Sequence, residues 1–218
     1  MHPTAISEPR PAARLRGRQV QVETFRSRLR ALQFGHGGTV LVTGLAGMGK
    51  TVMLRAVEAS AREQGITVFH GAGDVTGQVI PFGPLLEALV SAPGAPVDPA
   101  VLRDLSHSPD QRFWLLREMQ EALERAALGA PVLISLDDVQ WADPATLAAL
   151  GSLTRQLAGH RILWLLAVRS GELGATGTRR CCGCRRPRRS RSPWARWTRA
   201  RWPASPPTCS ARRRTRPC

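Results

Sequence analysis

The chain has 218 residues and a formal net charge of +15, from 31 basic and 16 acidic side chains. Residues 179–218 contain 14 arginines and no acidic residue, so residues 1–178 are nearly neutral. The high overall pI therefore describes a tail and does not by itself identify a nucleic-acid-binding domain.

Other protein classes are excluded by the first 178 residues. The longest apolar run, Ile162–Val168, is far shorter than the ~20 residues of a membrane span. The N-terminus has no apolar signal-peptide core. All five cysteines lie in the tail, which argues against a disulfide scaffold or a cysteine-ligated metal domain. We expect a cytoplasmic protein without membrane contact.

Composition divides the chain into three parts. Residues 1–15 are rich in proline and arginine and are predicted to be flexible. Residues 16–175 are long enough for one domain with its own core. Residues 176–218, dominated by arginine, proline and cysteine, are predicted to be a disordered tail.

Hydrophobic periodicity predicts helices that alternate with short apolar strands. Helices are expected over residues 19–33 and 50–64, within 81–90, from Ser108 to Gly129 and from Asp143 to Gly159. The helix from Ser108 is expected to place Phe113, Leu116, Met119 or Gln120, Leu123 and Ala127 inward. Strands are expected over Thr39–Thr43, Ile66–Phe69, Pro131–Leu136 and Ile162–Val168. This alternation favours an α/β fold with a parallel sheet covered on both faces.

A phosphate-binding loop is the clearest motif. The pattern G-x-x-x-x-G-K-[ST] is matched at every fixed position, after a predicted strand and before a predicted helix. The loop comprises Gly44, Leu45, Ala46, Gly47, Met48, Gly49, Lys50 and Thr51. Glycines let backbone N–H groups surround a polyphosphate. Lys50, the single lysine of the chain, would reach the β- and γ-phosphates, and Thr51 would ligate Mg²⁺.

Two acidic residues, Asp137 and Asp138, follow the third predicted strand. Asp137 is predicted to hold Mg²⁺ through water, because a buried carboxylate is costly without a cation. Asp138 is predicted to activate the attacking water, the alternative being a turn or helix cap in a solvated loop.

Four further residues lie near strand ends or helix starts. Arg169, directly after the fourth strand, would sense the γ-phosphate or be an ordinary exposed arginine. Asp143 is predicted to be a helix cap and Trp141 a packing residue. A functional role for Gln140 is only a minor option.

Several stretches resemble the AAA-type ATPase module of large LuxR-type bacterial transcription regulators, which are signal-transduction ATPases with numerous domains (STAND). They are Arg16-Gly17-Arg18, GLAGMGKT, Pro81–Leu85, LISLDDVQWADPATL and LLAVRS, within about residues 15–172. The resemblance implies a three-layer P-loop NTPase fold that binds ATP or ADP with Mg²⁺ as a switch, hydrolyses ATP weakly and self-associates. It also implies that Arg18 lies near the adenine and that Arg169 is the first sensor.

The same resemblance implies a spatial strand order of 5-1-4-3-2, followed by a helical lid and a DNA-binding domain. None of these later parts is visible in the sequence, so we expect a module truncated before them. The fifth strand is expected to be missing, which would leave Thr39–Thr43 at an open, aggregation-prone edge. Without the lid, the affinities for ATP and GTP are expected to differ by less than about tenfold.

The tail admits three explanations. A reading-frame shift near residues 173–180 of a G/C-rich gene is the simplest. An arginine-rich arm that binds nucleic acid is the second, and it suggests an alternative function as a stand-alone nucleotide-binding protein with such an arm. A zinc site at Cys181, Cys184 and Cys209 is the third, although it lacks a second close pair and a nearby histidine.

Overall fold

The computed structural model describes residues 18–75, 80–90, 94–100, 110–170 and 198–201. Its helices are α1 (Gln19–Gln33), α2 (Lys50–Glu63), α3 (Gly83–Val90), α4 (Gln111–Gly129) and α5 (Pro144–Gln156), with a 3-10 turn at Val139–Trp141. Its strands are β1 (Gly38–Gly44), β2 (Thr67–Ala72), β3 (Val132–Asp137), β4 (Ile162–Arg169) and β5 (Thr198–Arg201). The predicted alternation of helices and strands is therefore confirmed.

The strands form one parallel sheet in the order β2-β3-β4-β1-β5. Because all strands run the same way, their carboxyl ends lie at one edge of the sheet. The register places Gly44 beside Arg169 and Ala72 beside Asp137. This edge therefore collects the residues that the sequence singled out.

Helices cover both faces of the sheet, because successive strand residues point to opposite faces. On one face, α1 and α2 pack over Leu133 and Leu163. On the other, α3, α4 and α5 pack over Ile134 and Trp164. The three-layer α/β architecture predicted from the sequence is confirmed.

The prediction that β1 forms an open edge of the sheet is wrong for residues 40–43. Thr198–Arg201 pairs in parallel with this strand, with Val40 opposite Thr198 and Thr43 opposite Arg201. An edge strand presents unpaired N–H and C=O groups, with which the backbone of an extended segment can pair. Four residues of the predicted disordered tail thus occupy the fifth position. The lid, the cysteines and the rest of the tail fall outside the described residues.

The predicted face of α4 is partly wrong. Phe113, expected inward, is 61% exposed, and Leu115, which was not expected inward, is buried. Met119, Leu123 and Ala127 are buried as predicted. The first helical residue is Gln111, preceded by Asp110 without a side-chain cap bond. Ser108, where this helix was expected to start, lies outside the described residues. A hydrophobic repeat read from too early a start assigns the first turn to the wrong face.

Candidate functional site

The phosphate loop connects β1 directly to α2. Gly47 and Gly49 have φ angles of +72° and +74°, in the left-handed region that favours glycine. Gly49 is also the residue before the first turn of α2. A loop of this kind directs backbone N–H groups toward an anion, next to the positive end of the helix dipole.

Lys50 crosses the inside of this loop. Its side chain is 7% exposed. The ammonium donates hydrogen bonds of 3.1 Å to the carbonyl oxygens of both Gly44 and Leu45. The Gly44 oxygen also accepts the N–H of Ser170, at 3.0 Å, which ties the loop to the end of β4. An ammonium has three donors, so two carbonyl partners leave one for an anionic ligand.

Arg18 lies against the same loop. Its Nη2 donates to the carbonyl oxygen of Met48 at 2.5 Å. A Cβ placed on Gly49 would lie 3.3 Å from its Nη1. Burial lowers the pKa of the Arg18 guanidinium, which remains charged near neutral pH. The structure therefore places this predicted site residue at the phosphate loop, whereas its predicted proximity to adenine stays a prediction.

The two aspartates differ in backbone conformation. Asp137 ends β3, is 6% exposed, and accepts the N–H of Asp138 at 2.8 Å. Asp138 has φ 45° and ψ 43°, a left-handed conformation that is uncommon outside glycine. Strained backbone of this kind persists only where surrounding contacts hold it.

Gln140 is the functional candidate that sequence reasoning undervalued. Its Nε2 donates to Asp138 Oδ1 at 2.8 Å, and its Oε1 accepts the backbone N–H of Arg169 at 2.9 Å. These partners fix the amide orientation, since a carboxylate only accepts and an N–H only donates. Gln140 therefore connects the acid to the strand end beside Gly44. The sequence signal that could have indicated this role is a polar residue between the apolar Val139 and Trp141.

Arg169 lies where the sequence placed it, at the end of β4. Its guanidinium carbon is 5.9 Å from the centre of the Trp141 ring, in cation–π geometry. Trp141 is half-buried beneath it, which agrees with the predicted packing role. Whether Arg169 contacts a γ-phosphate stays a prediction.

Asp143 is a helix cap, as predicted. Its Oδ1 accepts the N–H groups of Ala145 at 2.9 Å and Thr146 at 3.0 Å in the first turn of α5. Pro144 occupies the first helical position, where its missing N–H costs nothing.

A partly buried hydrogen-bonded pair on the α2 face, Glu58 and His70, was not predicted. Glu58 of α2 is 5% exposed and lies 2.8 Å from Nδ1 of His70 on β2. The hydrogen bond to Glu58 raises the pKa of His70 more than burial lowers it, and the charges of Glu58, Glu87 and Asp137 raise it further. Burial raises the pKa of Glu58, but His70, Ser135 and Arg62 together bring it below its usual value.

The donor set fits a nucleotide phosphate with Mg²⁺. Lys50 and the loop backbone supply donors for phosphate oxygens, while Thr51 and Asp137 supply the oxygen ligands that Mg²⁺ prefers. Among the described residues, no basic side chain forms an ion pair with Asp137. No cluster of three or more His, Cys, Asp or Glu in this part of the chain could hold a metal ion by itself. Such a site suits Mg²⁺, which keeps water and phosphate among its ligands.

No helix within the described ranges has the length and apolar character needed to cross a membrane.

Two solved structures share this fold. The ORC2 protein of Aeropyrum pernix, solved in ADPNP–ADP complexes, is 21% identical with a TM-score of 0.52, over 75% of this chain and 44% of that chain. The A. pernix ORC1 protein, solved in complex with DNA, is 15% identical with a TM-score of 0.50, over 80% of this chain and 45% of that chain. The chain thus spans less than half the length of either protein.

The comparison with curated proteins gives no match. The AAA ATPase domain family matches residues 14–165, which is more than half of the chain. This chain therefore belongs to the AAA ATPase domain family.

Proposed function

We propose that the chain is an ATP- and Mg²⁺-binding switch module of a LuxR-type transcription regulator, with slow hydrolysis at most. One observation carries the nucleotide assignment: the carboxyl ends of β1, β3 and β4 bring the phosphate loop, Asp137–Asp138 and Arg169 to one edge of the sheet. The order of motifs from Arg16 to Ser170 supports the regulator class. Cytoplasmic location and self-association are parts of the same proposal.

Each residue has a distinct task in this mechanism. The N–H groups of Gly44–Thr51 and the Lys50 ammonium bind the β- and γ-phosphates. Thr51 and Asp137 hold Mg²⁺, which when bound neutralises charge on the phosphate oxygens. The Asp138 carboxylate accepts the proton of the attacking water, and Arg169 contacts the γ-phosphate.

Gln140 connects two parts of the proposed nucleotide switch. It contacts both Asp138 and the backbone of Arg169. Loss of the γ-phosphate would change the charge facing both residues at once. A rearrangement at one of them is then transmitted to the other through a single side-chain amide.

The second candidate function is a nucleotide-binding protein with a nucleic-acid arm. The observation in its favour is the concentration of 14 arginines and no acid in residues 179–218. Counterion release predicts that such binding weakens steeply with salt and is lost on deletion of residues 179–218. Retained salt-sensitive binding by residues 1–178 would rule out the arm.

The decisive experiment is calorimetric titration of the full chain with ATP in the presence and absence of Mg²⁺. The Lys50→Ala variant removes the buried ammonium and is expected to weaken ATP binding about 100-fold, or ~2.7 kcal/mol. The matched control is Arg55→Ala, which removes one positive charge from an exposed position of the same helix. Equal ATP affinity in wild type and Lys50→Ala would contradict the proposal.

A further inference from the structure

We propose that Asp143 is a positioning residue for Asp138. Its carboxylate attaches the segment that follows Asp138 to the turn before α3, and this attachment fixes the position of the acid. This inference rests on the proposed function, because it assigns the acid its role in turnover. It goes beyond helix capping, since it joins two parts of the chain that are distant in sequence.

Asp143 is bonded more extensively than a cap requires. Its carboxylate is 3% exposed. Besides the two N–H groups of α5, Oδ1 accepts the backbone N–H of Phe82 at 3.2 Å, across 61 residues of sequence. Oδ2 accepts the hydroxyl of Thr146. The carboxylate thus joins the first turn of α5 to the turn before α3.

Phe82 shows why this contact matters. Its φ is +63°, in the left-handed region, and its side chain is 5% exposed. A large residue in this conformation is costly and persists only when its surroundings enforce it. The bond to Asp143 holds the N–H of this residue, and the Phe82 carbonyl accepts the N–H of Leu86 to start α3.

The end of β2 packs closely against both α3 and the segment that carries the acid. A Cβ on Gly71 would lie 2.1 Å from the carbonyl oxygen of Pro84. A Cβ on Gly73 would lie 2.4 Å from the carbonyl oxygen of Asp138. Pro84 of α3 and the backbone of Asp138 therefore both pack against glycines at this strand end, where a side chain would not fit.

A short turn with two backbone hydrogen bonds connects Asp143 to Asp138. The N–H of Trp141 donates to the Asp138 carbonyl at 2.9 Å, and the N–H of Ala142 donates to the Val139 carbonyl at 3.1 Å. The strand β3 fixes one end of this turn and Asp143 fixes the other. Release of the Asp143 end would let Asp138 leave its left-handed conformation and misplace its carboxylate.

Three variants separate positioning from capping. Asp143→Ser keeps one oxygen for the α5 N–H groups but is too short to hold Phe82 as well. Asp143→Asn keeps the shape, since its oxygen can accept the same N–H groups while its NH₂ donates to the Thr146 hydroxyl. Thr154→Val is the matched stability control, because it removes a buried 2.6 Å hydrogen bond to Leu150 in the same helix, away from the turn.

The experiment measures single-turnover hydrolysis of ATP·Mg²⁺, ATP affinity and Tm for the full chain and each variant. Asp143→Ser is expected to lower the turnover rate about tenfold or more, while ATP affinity changes by less than about threefold. Asp143→Asn should restore the rate to within about threefold of wild type. Thr154→Val should lower Tm without changing the rate below the melting transition.

Hydrogen exchange supplies a second readout. The Phe82 amide should exchange faster in Asp143→Ser and remain protected in Thr154→Val. Wild-type turnover in Asp143→Ser, or equal loss in Thr154→Val, would overturn the positioning role. A wild-type chain that binds ATP without measurable turnover would also overturn it but would leave nucleotide binding intact. Failure of ATP binding itself would instead reject the proposed function.

Discussion

The two sides of the site are built in different ways. In the phosphate loop the lysine contacts are local, since Lys50 bonds to Gly44 and Leu45, six and five residues away, and Arg18 adds one remote contact to Met48. The acid side depends on remote contacts, since Gln140 reaches Arg169 across 29 residues and Asp143 reaches Phe82 across 61. A contiguous motif can therefore specify a binding loop, whereas the geometry of an acid requires the whole fold.

This difference predicts that binding and turnover can be separated by mutation. Changes on the loop side remove contacts to phosphate in both the ground state and the transition state. Changes on the acid side remove interactions that matter only when water attacks. The former lower affinity, and the latter lower the rate at unchanged affinity.

The largest effect on turnover is expected for Asp138→Asn. The asparagine oxygen still accepts from Gln140, so the local geometry is retained while basicity is lost. Turnover should fall about 100-fold, with ATP affinity within about twofold of wild type. Single-turnover hydrolysis and calorimetry on the same preparation test this. An unchanged rate would show that Asp138 is a turn residue and not the base.

A smaller effect is expected for Gln140→Ala. The substitution removes the connection between Asp138 and the backbone of Arg169, so the acid loses orientation but keeps its charge. Turnover should fall about tenfold, and ATP affinity should change little.

Gln140→Glu sharpens this test. A glutamate cannot donate to Asp138 and adds a like charge beside it, so it should not restore the rate. Gln156→Ala, at an exposed position of α5, is the control. If Gln140→Ala hydrolyses ATP at the same rate as Gln156→Ala, the Gln140 amide has no positioning role.

The same contrast explains how much the sequence could predict. The phosphate loop and Asp137 lie at the strand ends where the sequence predicted them, because each depends on a strand end and on adjacent residues. Their roles in binding stay predictions. Strands β1 to β4 were predicted because uninterrupted apolar runs such as Ile162–Val168 are typical of parallel sheets. These features require no knowledge of distant contacts.

The failures share the opposite cause. The N–H group of Phe82 that Asp143 binds belongs to the backbone and leaves no trace in residue type. The exposed side of α4 depends on where the helix begins and which helix covers it, so Phe113 was assigned to the wrong face. The pairing of Thr198–Arg201 with β1 uses backbone groups and needs no hydrophobic pattern.

The Glu58–His70 pair connects the two sides of the site. Glu58 belongs to α2, the helix that begins at Lys50, and His70 lies beside Ser135 of β3 in the sheet. The pair therefore ties the helix of the phosphate loop to the strands that precede the acid. Its effect on stability depends on pH because both partners titrate with shifted pKa values.

The smallest expected effect is the pH dependence of this connection. Because the pKa of His70 is raised in the folded state, its contribution to stability is complete below its unfolded pKa near 6.5 and is lost as pH rises through the folded value. Because the pKa of Glu58 is lowered, its contribution is complete above about 4.5 and is lost as pH falls through its folded value. The pair should therefore stabilise the folded state most between about pH 4.5 and pH 6.5.

The measurement is Tm against pH for wild type and His70→Gln, without nucleotide and Mg²⁺, since a cation at Asp137 would oppose the charge on His70. The His70 side chain is 37% exposed, so solvent screening limits the effect. The Tm advantage of wild type should shrink by about 2–4 °C as pH rises from 6 to 8.5. His36→Gln, at an exposed position, should show no such convergence. Parallel curves for wild type and His70→Gln would mean that the two sides of the site are joined by packing alone.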